Sequence, residues 1–357
     1  MDGYYNYHDK DVVIVEKDTL SNEEYCFCPS DSETEWVPFM SFPLTKRCNF
    51  HCEYCGVGGE ATGSQEQAFS LAMIKHFVSI AQEHGIIKFR LTGGEPFLNP
   101  QIGEILHFFS EKGVFTLVNT NGSLIMQNEN LLRSINQNIK FAVSLDTLDK
   151  EKFRSISKQD MMQRVIDGID LLSSLGLLFR CNMVVSKRNI DEIIPMIHFC
   201  QERKCDLKLL DIVSVPVPYG ERKSIYQEIT SVENVLLQSC DEVFSHEYTR
   251  NFGTPCYRYR FGDTFVTVKN SQKGSHYDYN KEGICMGCTY FPCHEGLYDI
   301  FALSDGKLCA CRWTEKQAYS NVDKQLEYLI RAFKRSRYVA KSDNSDMKAR
   351  EDLQCDE

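Results

Sequence analysis

The feature that constrains this chain most is a regular alternation of strand-like and helix-like segments over about residues 38–212. Short apolar and β-branched runs of strand length alternate with longer stretches of helical periodicity. The predicted strands are 38–45, 86–92, 114–119, 140–145, 178–185 and 206–212. The predicted helices are 67–84, 102–112, 127–134, 163–174 and 189–203. Strands separated by helices imply a parallel sheet with right-handed crossovers, whose chemistry gathers at the carboxyl ends of the strands.

The alternation stops after residue 212. A helix is predicted at 232–244, short β-like pieces at about 246–313, and a second helix at 322–337. The pattern predicts four parts: an N-terminal extension at 1–36, the main α/β unit at 37–245, a small cysteine-rich α+β domain at 246–340, and a disordered polar tail at 341–357.

Cysteine is the outlying residue type, with 16 in 357 residues. The first residues do not resemble a signal peptide, and no apolar run is long enough to span a membrane, which predicts a cytoplasmic protein without membrane contact. A formal charge of -10 without a dense basic tract argues against binding a nucleic-acid polymer. Many cysteines in a reducing compartment indicate metal ligation or redox chemistry.

Three cysteines follow the first predicted strand in a C-x3-C-x2-C array: Cys48, Cys52 and Cys55. Ligands from one loop at this spacing can converge on one metal centre. Structural zinc prefers four ligands, whereas an iron–sulfur cube held by three thiolates keeps one iron open. The alternative is a zinc site completed by His51 or by a distant cysteine.

Glycine and polar residues stand at the carboxyl ends of the next four predicted strands. A Gly-Gly pair at a strand end lets backbone approach a ligand closely, and a following glutamate supplies an acceptor for a ligand ammonium group. Packing does not explain so many polar residues at the edge that bears the cysteines. They are Gly93, Gly94 and Glu95, then Asn121, then Ser144 and Asp146, and finally Asn182.

The cysteine loop, with Tyr54 before its last cysteine, and the Gly-Gly-Glu-Pro segment 93–96 together resemble the radical S-adenosylmethionine (SAM) superfamily. Within it, segments 90–96, 120–124 and 143–153 are most similar to the GTP 3',8-cyclases. The resemblance runs through about residues 40–212 and returns more weakly around 253–313.

This resemblance implies a partial (β/α)6 TIM-like barrel that is open on one side. The three loop cysteines would hold a [4Fe–4S] cluster whose open iron chelates SAM. An electron from a flavodoxin- or ferredoxin-like donor would then generate a 5'-deoxyadenosyl radical that removes hydrogen from the substrate. The residues expected to bind SAM are Gly93, Gly94 and Glu95 at its methionine end, and Tyr54, Asn121, Ser144 and Asn182 elsewhere.

A second cysteine cluster lies near the C-terminus. Cys285 and Cys288 have the spacing of two ligands to one metal, and an Asp-Gly turn returns the chain toward later cysteines. A zinc ribbon is the alternative to iron. The segment resembles the twitch or SPASM auxiliary-cluster region of radical SAM enzymes, which implies a second iron–sulfur cluster, expected to be [4Fe–4S]. Its expected ligands are Cys285, Cys288 and Cys311, with Cys293 as the fourth and Cys309 in reserve.

Two substrate classes compete. The cyclase-like motifs favour a nucleotide-like or other small metabolite. The SPASM-type spacing favours a ribosomally made peptide, as does the segment 289–292, which reads Thr-Tyr-Phe-Pro where the cyclases place two arginines. A non-enzymatic iron–sulfur or zinc redox sensor is the alternative of a different class, although a sensor needs no SAM pocket.

The sequence assigns little to the remaining cysteines and arginines. The pair Cys26 and Cys28 does not complete a metal site by itself. Other cysteines are interpreted as apolar fillers or free thiols, and several arginines as solvated side chains. These residues include Cys181, Cys200, Cys205 and Cys240, and Arg90, Arg180 and Arg258.

Overall fold

The computed structural model describes residues 12–15, 39–55, 68–212, 224–246, 256–269, 299–309 and 322–330. Their strands form one sheet. Among the described residues, no helix is both long and apolar enough to cross a membrane.

The centre of the sheet consists of consecutive parallel strands, as the alternation predicts. These strands are β2 (Phe39–Pro43), β3 (Lys88–Thr92), β4 (Phe115–Thr120), β5 (Ile139–Ser144), β6 (Leu178–Val184) and β7 (Asp206–Leu210). The helices between them are α1 (Leu71–Glu83), α2 (Ile102–Lys112), α3 (Glu129–Ser134), α4 (Lys150–Ser157), α5 (Met162–Ser174) and α6 (Ile193–Glu202). The predicted α/β class and partial barrel are confirmed, and the described strands do not close into a ring.

Strands from outside this centre extend the sheet on both sides. Beside β7 lie β10 (Thr264–Lys269), β9 (Cys256–Phe261), β8 (Glu242–His246) and β1 (Val12–Val15). Beside β2 lie β11 (Asp299–Ala302) and β12 (Leu308–Cys309). The predicted domain boundary at 245 falls inside β8, which belongs to the same sheet as the barrel strands. The division into domains remains a prediction. The tail at 341–357 lies outside the described residues.

A buried polar contact attaches β11 to the barrel. The Asp299 carboxylate accepts a hydrogen bond from the Ser41 hydroxyl at 2.6 Å and pairs with the Arg90 guanidinium. Arg90 also lies over the Phe39 ring, with its guanidinium carbon 4.6 Å from the ring centroid. Since Asp299 is only 3% exposed, the positive charge of Arg90 offsets the cost of burying its carboxylate.

Two helices differ from the sequence prediction. The helix predicted at 232–244 is wrong at its C-terminal end, because α7 covers Thr230–Ser239 and Cys240 adopts an extended backbone. The following residues form β8, which pairs with β9, so tertiary pairing overrides helical periodicity there. Helix α4 has no counterpart among the predicted helices, although Asp149 caps its N-terminus by accepting from the Lys152 N–H at 2.8 Å.

Aromatic side chains dominate the core between the sheet and helices α1 and α2. Phe42 is completely buried on β2, and its ring centroid lies 5.7–6.3 Å from those of four other phenylalanines. These neighbours are Phe69, Phe77, Phe89 and Phe109. This group of phenylalanine rings packs β2 against the first βα unit. It therefore also fixes the start of the cysteine loop, which follows β2.

We predict that Phe42→Ala lowers the free energy of unfolding by about 3–5 kcal/mol, because it removes a ring from the centre of this cluster and leaves a cavity. Urea unfolding followed by circular dichroism measures the change. Ile87→Ala is the matched control, since Ile87 is 58% exposed and its truncation is expected to change stability by less than about 0.5 kcal/mol. Equal losses in the two variants would contradict the assigned core.

Candidate metal and cofactor site

The three predicted cluster ligands lie on the loop that leaves β2. Cys48 and Cys55 are exposed and Cys52 is partly buried, and all three are thiols, without a disulfide. Burial raises the pKa of the Cys48 thiol, and that of Cys52 to about 12. The protein alone therefore keeps Cys52 protonated at neutral pH, and a bound metal is needed to stabilise its thiolate.

The sulfur atoms of the three loop cysteines do not all lie within 4.8 Å of one another. Within the described ranges, the one group of three candidate ligands whose atoms all lie within 4.8 Å of one another is elsewhere, at Cys181, Cys200 and Cys205. The loop thiols are therefore more widely spaced. Wider spacing is what an iron–sulfur cube requires, because each thiolate binds a different iron.

Direct backbone contact joins the cysteine loop to the end of β3. The Gly94 N–H donates to the Thr45 carbonyl at 2.7 Å, and the Glu95 N–H donates to the Arg47 carbonyl at 2.8 Å. A Cβ atom at Gly94 would lie 2.3 Å from the Arg47 carbonyl oxygen, and Gly93 has a φ of +128°. The two glycines thus allow the loop backbone to pack on the strand end, a contact that any side chain would block.

Glu95 connects the ends of β3 and β4 from a fully buried position. Its carboxylate accepts from the Thr120 hydroxyl at 2.8 Å, the Asn121 N–H at 2.7 Å and the Phe97 N–H at 3.0 Å. Burial raises the pKa of Glu95 to about 7, and these hydrogen bonds act in the opposite direction. The expected contact of Glu95 with SAM remains a prediction.

Asn121 lies beside the first cysteine. Its side-chain amide donates to the Asn49 side-chain oxygen at 2.8 Å and lies 3.8 Å from the Cys48 sulfur. Its own side-chain oxygen accepts from the Ser123 hydroxyl at 2.7 Å. The structure thus brings a residue of the β4 end to the cysteine loop, as expected for neighbouring parallel strands.

Tyr54 fastens the far end of the cysteine loop to β5 and β6. Its hydroxyl donates to the Asp146 carboxylate at 2.7 Å, and the Val184 N–H donates to the other carboxylate oxygen at 2.8 Å. Burial raises the pKa of Asp146 to about 6. Tyr54 therefore orients the loop through a partly buried hydrogen bond, and a contact of its own with SAM remains a prediction.

Ser144 and Asn182 are register partners on β5 and β6, so the structure brings these two predicted SAM ligands side by side. The Asn182 backbone carbonyl accepts from the Leu145 N–H at 2.9 Å. The Asn182 side-chain oxygen accepts from the Arg180 guanidinium at 2.9 Å. Together with Asn121, they form one polar edge across β4, β5 and β6.

Most of the predicted auxiliary-cluster ligands lie outside the described residues, namely Cys285, Cys288, Cys293 and Cys311. Cys309 is described, and it lies in β12, paired with Phe301 of β11. Cys26 and Cys28 also lie outside the described residues.

Sequence reasoning missed two buried arginines. The interpretation of Arg180 and Arg258 as solvated is wrong, because each is only 4% exposed. Burial lowers the pKa of Arg180 to about 10, while the Asp206 carboxylate raises it. The alternation in β6 was the available signal: Cys181 and Met183 are core residues, so Arg180 must lie on the opposite face of the strand.

Comparison with known proteins identifies the family of this chain. The sequence model of the radical SAM superfamily matches residues 42–200. A probable GTP 3',8-cyclase from Methanothermobacter thermautotrophicus is 30% identical over 220 residues, 60% of this chain and 71% of that protein. A GTP 3',8-cyclase from Helicobacter pylori (strain HPAG1) is 24% identical over 306 residues, 83% of this chain and 88% of that protein.

Among solved structures, Streptococcus suis SuiB bound to S-adenosylmethionine matches with a TM-score of 0.59. The sequence identity is 16%, and the match covers 85% of this chain and 68% of SuiB. At that identity the likeness establishes the fold alone.

The chain belongs to the radical SAM superfamily. Membership makes it an enzyme that uses SAM and a [4Fe–4S] cluster. Within the superfamily it is similar in sequence to the GTP 3',8-cyclases.

We predict that Gly94→Ala lowers the iron and sulfide bound after anaerobic reconstitution to less than half of the wild-type amount. The added methyl group collides with the Arg47 carbonyl and displaces the cysteine loop. Gly103→Ala in α2 is the matched control, because its Cβ would come no closer than 3.9 Å to the Leu131 side chain. Full cluster content in Gly94→Ala would show that the loop tolerates this displacement.

The buried Glu95 predicts a pH dependence of stability. Its folded pKa of about 7 exceeds the ordinary value of 4.5, so the folded chain retains a proton that the unfolded chain has lost. The stabilising contribution is therefore complete below pH 4.5 and is lost as the pH rises through 7, by at most about 1.4 kcal/mol per pH unit. Urea unfolding of cluster-free protein at pH 5 to 8 measures this slope.

Glu95→Gln should have a shallower pH slope because residue 95 no longer titrates. Glu104→Gln, at an exposed position of α2, is the control and should keep the wild-type slope. Parallel slopes in wild type and Glu95→Gln would exclude Glu95 as the titrating group.

Proposed function

We propose that this radical SAM enzyme removes hydrogen from a small anionic, nucleotide-like metabolite held on the inner face of the partial barrel. Cys48, Cys52 and Cys55 would hold the [4Fe–4S] cluster, which with SAM supplies the hydrogen-abstracting radical. The match of the radical SAM sequence model to residues 42–200 and the contact of Asn121 with Cys48 support this assignment. The product would be a cyclised, rearranged or oxidised carbon centre.

The observation that carries the substrate class is one cross-strand row on that inner face. Asn182 of β6 pairs in register with Lys208 of β7, Lys208 pairs with Thr267 of β10, and Thr267 pairs with Arg258 of β9. On the other side, Asn182 pairs with Ser144 of β5. The row therefore runs from two predicted SAM ligands directly to two cationic side chains.

The side chains of a strand point alternately to the two faces of the sheet, and this alternation indicates which face the row lies on. Leu207, Leu209 and Tyr259 belong to the core under the helices, so Lys208 and Arg258 lie on the other face of the sheet. Hydrogen-bonded neighbours in a sheet are about 4.8 Å apart, which places Lys208 one such step from Asn182.

The electrostatics of the row favour an anion. Arg180 lies two residues before Asn182 on β6, so three cationic side chains share this region. The register partner of Arg180 is Asp206, whose carboxylate forms an ion pair with the Arg258 guanidinium at 3.4 Å. A lowered pKa of about 10 still leaves Arg180 charged at neutral pH. Guanidinium and ammonium groups in a partly desolvated cleft are the partners that phosphate and carboxylate groups require.

Three further parts belong to the proposal. The second iron–sulfur cluster would use Cys285, Cys288, Cys311 and Cys293. The reducing electron would come from a flavodoxin- or ferredoxin-like donor. The enzyme would work in the cytoplasm. The peptide-maturase alternative depends on the cysteine spacing between 285 and 311, which lies outside the described residues.

The radical chemistry is tested by 5'-deoxyadenosine formation from SAM in anaerobically reconstituted, dithionite-reduced protein. We expect Cys52→Ala to abolish formation, because it removes a cluster ligand. Cys240→Ala, which removes a buried thiol outside the loop, should retain at least half of the wild-type rate. Equal product from wild type and Cys52→Ala would contradict the assignment.

The substrate class is tested by adding GTP, ATP, CTP and UTP in turn, each beside its uncharged nucleoside. We expect at least one triphosphate to raise the rate tenfold, whereas its nucleoside has little effect. Lys208→Met should raise the half-saturating concentration of that triphosphate at least tenfold, and Lys112→Met, at an exposed position of α2, should not. Equal responses to nucleoside and triphosphate would reject a role for the cationic row.

A further inference from the structure

Three cysteines meet on the helix-covered side of β6, away from the SAM loop. They come from β6 (Cys181), from α6 (Cys200) and from the residue before β7 (Cys205). Their sulfur atoms all lie within 4.8 Å of one another. All three are buried, with exposures of 0%, 0% and 4%. The interpretation of these cysteines as separate apolar fillers does not account for this convergence.

The turn after α6 brings two of the thiols together. The Lys204 N–H donates to the Gln201 carbonyl at 3.1 Å, and the Cys205 N–H donates to the Cys200 carbonyl at 3.1 Å. Lys204 adopts a left-handed backbone with a φ of +52°. This pair of bonds is the Schellman motif, which places the residue after the left-handed position against the last turn of the helix. Cys205 therefore lies over Cys200.

The three thiols are hydrogen-bonded to one another. Hydrogen bonds from the Cys200 and Cys205 thiols lower the pKa of Cys181 well below its usual range, and the Arg203 charge adds to this effect. The same bonds to Cys181 raise the pKa of Cys200. A metal ion that binds the trio replaces these thiol hydrogen bonds and displaces the thiol protons.

We propose that Cys181, Cys200 and Cys205 bind one thiophilic d10 metal ion, of the Cu⁺ type, at a site separate from the SAM cluster. With metal–sulfur bonds of about 2.3 Å, three thiolates around one ion have sulfurs about 4 Å apart, which agrees with the observed convergence. An iron–sulfur cube does not fit, because its thiolates bind different irons and are spaced more widely. Binding releases the thiol protons to solvent, and no electron is transferred.

The consequence concerns the opposite face of the same strands. A metal that joins β6, α6 and the start of β7 would hold in place the two strands that carry Asn182 and Lys208. The metal site itself does not depend on the proposed substrate. Its loading should nevertheless stabilise the folded chain, because the ion binds only when all three elements are assembled.

The test is the metal content of full-length, cluster-reconstituted protein, prepared anaerobically. One arm receives Zn²⁺ and the other Cu⁺, followed by gel filtration and elemental analysis. We expect wild type and Cys240→Ala to retain about one more ion per chain than Cys200→Ala in the Cu⁺ arm. The Zn²⁺ arm measures selectivity against an ion that prefers four ligands. Cys240 is the matched control because it is buried in the same core cluster but is not part of the trio.

A second variant covers the case in which Cys200→Ala fails to fold. Cys181→Val replaces a buried strand thiol by a β-branched side chain that suits a strand, and it should also lose the ion. The ion should raise the melting temperature of wild type and leave that of Cys181→Val unchanged. Equal metal content in all folded variants, or a disulfide between any two of the three cysteines, would overturn the proposal.

Discussion

Everything at this site depends on the close packing of two backbones, where the cysteine loop lies directly on the end of β3. Gly94 and Glu95 donate to the carbonyls of Thr45 and Arg47, at a distance that excludes a side chain on Gly94. The loop follows β2, and β2 packs on the aromatic core. The backbone contact with the end of β3 therefore sets where the three thiols lie. The glycine pair thus acts first as a structural element and only then as a possible ligand contact.

Two buried carboxylates complete the attachment of the loop. Glu95 joins the ends of β3 and β4, and Asp146 joins the loop residue Tyr54 to β6. Burial raises the pKa of both, and hydrogen bonds from backbone and side chains offset part of that cost. Such satisfied buried groups hold a loop in one geometry more strictly than apolar packing does, which suits a site that must present three ligands to one cluster.

Strand β6 contributes side chains both to the core under the helices and to the inner face of the barrel. Its alternate residues place Cys181 in the core under α6, and Arg180 and Asn182 on the inner face of the barrel. The period of two in a strand makes this division strict. Helix α6 and the turn before β7 supply the partners on one side, while β7 and β9 supply cationic partners on the other. A structural thiol site and a substrate site can therefore adjoin without sharing a side chain.

The sequence by itself determined the parallel α/β centre, and it predicted the cluster ligands and the polar residues at the strand ends, because these depend on local periodicity and on short motifs within one segment. Tertiary structure alone decided that residues 242–246 are a strand, since their partner β9 is supplied from a later part of the chain. It alone also placed Cys181 beside Cys200 and Cys205, and Lys208 and Arg258 in one row. These are relations between segments far apart in sequence, and no local pattern specifies how distant strands pair or which faces they share.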